Sequence, residues 1–390
     1  MKILFVANTE WYLYNFRLDL AKFLRERGFD VVMISPAGPY AWRLQAEGFR
    51  WIELGMKRQS VHPARELAVL RQLSSIYAAE KPNIVHHFTI KCIVYGSLMA
   101  WWHGIHNRVN AVAGMGYVFT SDSIRARLLR PVVRGLMKSV AGGKRARLIA
   151  QNHDDFAALC KSRLARRENI RLIRGSGVNI TQFRPREDPW RDTSRTRVLF
   201  AARLLRDKGI AEYIEAAREL KNANVPVEFL LAGIPDEGNP TSVSAAEVAE
   251  WEADGLVRYL GHVQDMPSLL DQVDMAVLPS YREGAPRSLI EAAAAGLPIV
   301  TTDVPGCREI VEHGVNGLLV PARQVSPLVD AIRFLHERPE LRGRMGKAGR
   351  EKVQNEYDQH IVFEQTLAVY HELVAKSAAS STQQSRRQHA

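Results

Sequence analysis

The chain is expected to be an α/β protein of two doubly wound, Rossmann-like domains facing across a cleft, and three observations predict this. Short apolar runs alternate with helix-length amphipathic stretches from Lys2 onward; the alternation lapses once, at a polar, proline-broken segment, and then restarts. A length of 390 residues exceeds one ordinary core and suits two. Hydrophobic residues make up 46% of the chain, enough to fill both.

The elements follow in order. Ile3 to Ala7 reads as a buried strand, after which Leu13, Phe16, Leu20, Phe23 and Leu24 recur at helical spacing and Gly28 supplies a stop. Val31 to Ser35, Trp51 to Leu54, Ile84 to His87, Arg108 to Val112, Leu148 to Ala150 and Arg171 to Ile173 are further strands, most of them separated by helix-length segments. The first domain is expected over 1–183. Residues 184–196, opening Arg184-Pro185-Arg186-Glu187-Asp188-Pro189, read as a linker. Beyond it Val198 to Ala202, Val227 to Ala232, Val257 to Leu260, Met275 to Leu278, Pro298 to Thr301 and Gly317 to Val320 are strands of a second domain over 197–355. The end is expected to be helical from about Pro327 to Ala375. The part over 356–375 can return to the first domain, and a polar tail over 376–390 is expected to be disordered.

Charge and composition exclude several classes. The net charge of +11 is uneven: residues 1–190 hold 30 Lys and Arg against 14 Asp and Glu, while 191–390 hold 23 against 28. A basic half suits nucleic acid, an anionic membrane or an acidic small molecule, and composition does not choose. Cys92, Cys160 and Cys307 lie far apart, so neither a disulfide framework nor a zinc site is expected, and a reducing compartment is. The opening apolar run stops at Asn8, short of a signal-peptide core, and Cys92 to Trp102 is too short to cross a bilayer. No glycine follows the first strand where a dinucleotide fingerprint needs three, which argues against a nicotinamide or flavin enzyme. Gly142-Gly143-Lys144-Arg145 lacks the Ser or Thr of a phosphate loop. There is no Asp-x-Asp pair to anchor a metal-bound diphosphate, so no metal and no cofactor are expected.

What remains is a constellation at two strand ends. Glu283 and Glu291 bracket Gly284, Ala285, Pro286 and Arg287 where the strand Met275 to Leu278 turns into an alanine-rich helix. Arg203 and Lys208 follow the strand Val198 to Ala202. If both strands lie in one parallel sheet, cations and carboxylates meet at its carboxyl edge, where cations suit a diphosphate and carboxylates suit sugar hydroxyls. A helix opening at Pro286 and Arg287 adds the positive end of its dipole.

These residues, with Ala295-Gly296-Leu297-Pro298-Ile299-Val300, resemble the donor half of a retaining GT-B glycosyltransferase of family four. Asn15-Phe16-Arg17, Val85-His86-His87-Phe88-Thr89-Ile90-Lys91, Tyr95-Gly96-Ser97 and Gly114-Met115-Gly116-Tyr117 resemble the subgroup that builds O-antigen, capsule and lipid-linked oligosaccharides. The resemblance implies that Arg203 and Lys208 hold the donor diphosphate, that Glu283 contacts the transferred sugar and Glu291 the ribose, and that His262 and Val263 flank the base. It places Gly175, Ser176 and Gly177 beside the cleft. It implies same-face displacement in which the leaving phosphate takes the acceptor proton. Within it, undecaprenyl-diphosphate-sugar α-1,3-N-acetylgalactosaminyltransferases are the nearest type.

The acceptor is expected on the first domain. Asn8, Glu10 and Arg17 belong to the first loop and helix, and Gly114 and Gly116 let backbone approach a ligand. His86 and His87 end a strand, so alternation sends one inward and leaves the other, with Lys91, to meet the acceptor. Between Ser123 and Arg147 stand eight basic residues and no acidic one. Arg127, Arg130, Arg134 and Lys138 lie opposite an apolar stripe, a pattern that suits an anionic membrane surface as well as an ordinary packed helix.

The expectation is a glycosyltransferase, peripheral on the inner face of the cytoplasmic membrane, that moves a hexose or N-acetylhexosamine from a UDP-sugar donor to a lipid-linked saccharide, with no nucleic-acid partner. The competing readings are a UDP-sugar 2-epimerase of the same architecture and a basic nucleic-acid-binding protein. Against the latter, the basic residues are not interleaved with a reader motif.

Overall fold

The computed structural model describes residues 1–58, 60, 62–112, 131, 135, 138, 143, 145–162, 164–186, 195–236 and 238–388, with side chains up to 375. It forms two compact units: residues 1–176 with 362–390, and residues 177–361.

The first unit carries a seven-stranded parallel sheet. Its strands are β1 (Lys2–Val6), β2 (Asp30–Ser35), β3 (Arg50–Glu53), β4 (Ile84–Phe88), β5 (Arg108–Ala111), β6 (Ala146–Ala150) and β7 (Ile170–Leu172), in the order β3-β2-β1-β4-β5-β6-β7. The order reverses between β1 and β4, the switch point of a doubly wound sheet. The helix Glu10–Glu26 leaves β1 through an N-cap in which Thr9 Oγ1 accepts from the Tyr12 N–H at 3.2 Å, and Gly28 at φ +79° ends it.

Alternation misjudges β4. Every residue of this strand is buried, because a parallel sheet is covered on both faces. His87 hydrogen-bonds Asn110 Oδ1 through Nδ1 and the Tyr77 hydroxyl through Nε2, both at 2.8 Å. Its ring lies so close to Gly96 that a Cβ there would stand 2.2 Å from Nε2, and Ser97 Oγ donates to the same Asn110 oxygen at 3.2 Å. The Tyr95-Gly96-Ser97 run thus makes room for a buried histidine. Lys91 is likewise occupied: its ammonium donates to the carbonyls of Lys57 and Ser60 at 2.9 Å and pairs with Glu66 at 2.8 Å.

The last helix, Gln359–Gln388, contributes Val362, Phe363, Leu367, Tyr370 and Leu373 to the first unit's core. Glu372 takes the fully buried guanidinium of Arg147 at 2.5 Å and Arg171 at 2.7 Å. The tail expected to be disordered from 376 instead continues this helix to Gln388; the run holds no glycine or proline, and Ala, Gln and Arg are good helix formers.

The second unit carries a six-stranded parallel sheet of β8 (Thr196–Ala201), β9 (Val227–Ala232), β10 (Arg258–Gly261), β11 (Met275–Leu278), β12 (Ile299–Thr302) and β13 (Gly317–Val320), in the order β10-β9-β8-β11-β12-β13. Its switch point lies between β8 and β11. The unit begins at Gly177, earlier than the linker expected at 184–196, because Val178 and Phe183 sit in its core and Arg350 donates to the carbonyls of Ile180 and Phe183. Residues 187–194 of that linker lie outside the described residues.

Two stability effects follow. Glu372→Ala leaves Arg147 buried and unpaired and should cost the first unit about 3–5 kcal/mol in urea unfolding, whereas Glu364→Ala, which breaks an exposed pair with Arg27, should cost less than about 1 kcal/mol. Burial pushes His87 from 6.5 down to about 4. The unfolded chain therefore binds a proton that the fold refuses. The stability this residue contributes is complete above pH 6.5 and should fall by about 3 kcal/mol as pH drops toward 4. Denaturant titrations across that window should show a flatter slope for His87→Gln.

Candidate active site

At the carboxyl edge of the second sheet, the loops after β8 and β11 converge. Lys208 ends a short 3-10 turn, Arg206–Lys208, closed by Gly209 at φ +74°. A Cβ on Gly209 would stand 2.0 Å from the Pro279 carbonyl oxygen, so only glycine lets the first loop lie against the second. This delivers the Lys208 ammonium onto the Glu283 carboxylate, which also accepts from Ser280 Oγ at 2.7 Å. Lys208 is 18% exposed and Glu283 9%. A third loop closes behind them: Glu283 N–H donates to the Pro305 carbonyl at 3.0 Å, and a Cβ on Gly306 would stand 2.5 Å from the Glu283 carbonyl oxygen.

Arg203 does not join that pair. It lies at the same edge but binds Asp236, on the loop after β9, at 2.5 Å and stays 44% exposed. Asp236 is itself held, its N–H donating to Ser242 Oγ at 2.9 Å. Asp236 and Ser280 were not singled out from the sequence. The turn residues Gly238-Asn239-Pro240 after β9 were the available signal for the first, and the position directly after β11 for the second.

Glu291 lies inside the helix Arg287–Ala294, whose N-cap is the buried Pro286. Arg287, one turn earlier, grips it at 2.7 Å. Burial raises the Glu291 pKa and the Arg287 charge opposes the rise. Gly284 and Ala285 lie half-buried between the two glutamates. His262 is exposed beyond β10, and Val263 packs against the core.

Gly175 and Gly177 have φ of +70°, and the unit boundary falls between Ser176 and Gly177. A Cβ on Gly177 would stand 2.5 Å from Gln359 Cα, and Val178 and Gln359 exchange hydrogen bonds with the 357–359 and 178 backbone at 3.0 Å. This glycine lets the departing and returning chains pass in contact.

In the first unit, Asn8 and Glu10 follow β1 at its switch point. The Glu10 carboxylate is 6% exposed and rests against Gly38, where a Cβ would stand 2.1 Å from Oε1. Arg17, on the same helix, is 5% exposed, with its guanidinium carbon 4.5 Å from the Phe88 ring centroid. His86 is buried, bonded to the Tyr370 hydroxyl at 2.6 Å. Burial, the Arg17 charge and His87 hold its pKa well below the usual range. His87 and Lys91 are occupied inside the fold and leave this group. Gly114, Gly116, Arg127, Arg130 and Arg134 lie outside the described residues; Lys138 is exposed.

Two hollows of about 510 and 470 Å³ lie elsewhere, one beside Phe183, Arg186 and Pro267, the other beside Tyr77, Lys81 and His106. Neither contains a residue of these groups, and the convergence of charge at the sheet edges is the better guide to chemistry. Among the described residues, no three His, Cys, Asp or Glu side chains cluster as a metal site.

Residues 2–152 match the glycosyl transferase 4-like family and residues 183–352 the glycosyl transferases group 1. The chain is 29% identical to the N,N'-diacetylbacillosaminyl-diphospho-undecaprenol alpha-1,3-N-acetylgalactosaminyltransferase of Campylobacter jejuni, over 96% of this chain and 99% of that one. It is 23% identical to the capsular polysaccharide biosynthesis glycosyltransferase CapM of Staphylococcus aureus, over 91% and 93% of the two chains. Among solved structures, HepE of Anabaena in complex with UDP-glucose shares the fold with a TM-score of 0.77 at 19% identity, over 96% of this chain and 100% of that one. With each half matched by its own glycosyltransferase family model and each sheet wound about its own switch point, the chain is a glycosyltransferase of GT-B fold.

Proposed function

We propose that this enzyme transfers a hexose or N-acetylhexosamine, with retention, from a UDP-sugar to an undecaprenyl-diphosphate-linked saccharide during assembly of a surface polysaccharide such as O-antigen or capsule. The observation that carries the donor half is the meeting of Lys208 with Glu283 at the β8–β11 switch point. Cleaving a glycosyl phosphate puts growing negative charge on the diphosphate, and fixed cations there lower the barrier. Lys208 supplies a point charge and Arg203 a bidentate fork, with the first turn of the helix Arg287–Ala294 adding its dipole. Glu283, held by Ser280, reads the sugar hydroxyls, and Glu291, held by Arg287, the ribose. Side chains carry the positive charge, so transfer proceeds without a metal. The leaving phosphate itself takes the acceptor proton, which removes the need for a side-chain base.

The C. jejuni relative bears an undecaprenol-linked acceptor and N-acetylgalactosamine transfer in its name, CapM bears capsule assembly, and HepE was solved with UDP-glucose. These favour the UDP donor and the lipid-linked acceptor, with Asn8, Glu10 and Arg17 on the acceptor side. Among the described residues, no helix is long and apolar enough to cross a membrane. Contact with the lipid-anchored substrate is then made from the membrane surface. The basic run from Ser123 to Arg147 supports it, and so does the exposed pair Trp101 and Trp102, since tryptophan partitions to the headgroup level.

Transfer assayed in EDTA should persist in the wild type and drop about 100- to 1,000-fold in Lys208→Ala and in Arg203→Ala, with unchanged circular dichroism. Near-normal turnover in both variants, or loss of wild-type turnover on chelation, would refute this donor chemistry. The protein should sediment with anionic liposomes at low salt and leave them at high salt, with weaker retention in a Trp101→Ser, Trp102→Ser double variant. No sedimentation at low salt would remove the peripheral assignment.

A further inference from the structure

We infer that Arg17 and His86 form a phosphate-binding pair in the first unit that holds the diphosphate of a prenyl-diphosphate acceptor. This rests on the acceptor class proposed above and adds the side chains that recognise it. Arg17 is 5% exposed yet makes no ion pair among the described residues; Nη2 donates to the Tyr12 hydroxyl at 2.7 Å and Nε has no partner there. A buried guanidinium is costly without an anion, and Arg147, also buried in this unit, has Glu372. The Tyr12 and Phe88 rings, 5.3 and 4.5 Å from the guanidinium carbon, offset part of that cost but do not neutralise the charge.

His86 stands beside it. The imidazole and Phe88 share one face of β4, their ring centroids 4.1 Å apart, so Arg17 and His86 both pack against the same ring at the carboxyl end of β4. The Tyr370 hydroxyl and His86 Nδ1 share a hydrogen bond of 2.6 Å, and in the proposed state the hydroxyl donates. With that proton given to Nδ1, the ring's own hydrogen sits on Nε2, which is buried and has no partner. Burial and the neighbouring Arg17 charge keep the ring neutral, so it offers a donor. The next residue, Thr89, is held at φ +74°, a strained conformation for a β-branched side chain and one that collects at binding sites.

A phosphate oxygen replaces the Tyr12 hydroxyl. The Nε and Nη2 edge of Arg17 then binds two phosphate oxygens side by side, and His86 Nε2 donates to the same group. Glu10, on the same helix and also without an ion pair, is left to read a saccharide hydroxyl. Tyr370 acts through His86 and is a positioning residue.

The test compares farnesyl diphosphate with farnesol by calorimetry on the full chain saturated with UDP, so that the donor site is closed to the probe. The wild type should bind the diphosphate about 10- to 100-fold more tightly than the alcohol. Arg17→Met and His86→Phe should erase that ratio, while His86→Gln, which keeps a donor near Nε2, should retain most of it. Arg17→Met should melt no lower than the wild type, because it removes an unpaired buried charge. If it fails to fold, Arg17→Lys, which keeps the charge without the fork, should still lower the ratio. Equal binding of the two probes by the wild type, or an unchanged ratio in the Arg17 variants, overturns the proposal. Failure of UDP to bind would instead strike the donor reading on which it stands.

Discussion

The second unit depends on how closely three backbone loops approach one another at the β8–β11 switch point. Helices leaving adjacent strands there pass to opposite faces of the sheet, so the carboxyl edge is left uncovered and is floored by loop backbone. Gly209 against the Pro279 carbonyl, Gly233 against the Ala202 carbonyl and Gly306 against the Glu283 carbonyl are all at positive φ, and a Cβ at any of them would stand 2.5 Å or less from an oxygen. These contacts set the spacing that puts Lys208 on Glu283. The placement of this charge pair is thus a backbone property first, and the side chains inherit it.

Each cation of the proposed donor site has a carboxylate partner: Lys208 has Glu283, and Arg203 has Asp236. Desolvating an ammonium or a guanidinium is expensive, and pairing offsets most of it. In the proposed donor site a diphosphate would exchange one anion for another, with little new desolvation, and would free the Glu283 carboxylate for sugar hydroxyls. Tyr281 supports this loop from behind: its N–H donates to the Asp207 carbonyl at 2.9 Å, and its hydroxyl donates to Glu212 at 2.7 Å.

Strand positions were legible because parallel strands are short, apolar and evenly spaced, and the meeting of Lys208 with Glu283 because both lie in the loops that follow β8 and β11. What was not legible depended on tertiary partners. Period-two alternation assigns one of His86 and His87 to a solvent-facing side, but helices on both faces of the sheet bury each of them. Lys91 read as a free cation until the loop carbonyls of Lys57 and Ser60 came to it from far along the chain. The helix to Gln388 was missed because polarity suggests disorder, whereas helix propensity is indifferent to it.

The contrast between the two units is an argument about where stability is given up. In the second, Lys208, Arg203 and Glu291 each have an oppositely charged partner; in the first, Arg147 is paired, while Arg17 is packed on aromatic rings with no carboxylate beside it among the described residues. A core selected for stability alone would replace Arg17 with an apolar side chain or place a carboxylate beside it. The returning helix bears on the same point, since it supplies both Glu372, which neutralises Arg147, and Tyr370, which fixes the orientation of His86. One element therefore stabilises the first unit and, through a single hydroxyl, holds the His86 imidazole at β4's carboxyl end. That coupling of a stabilising helix to an unsatisfied polar pair is what a retained binding function predicts and a purely structural role does not.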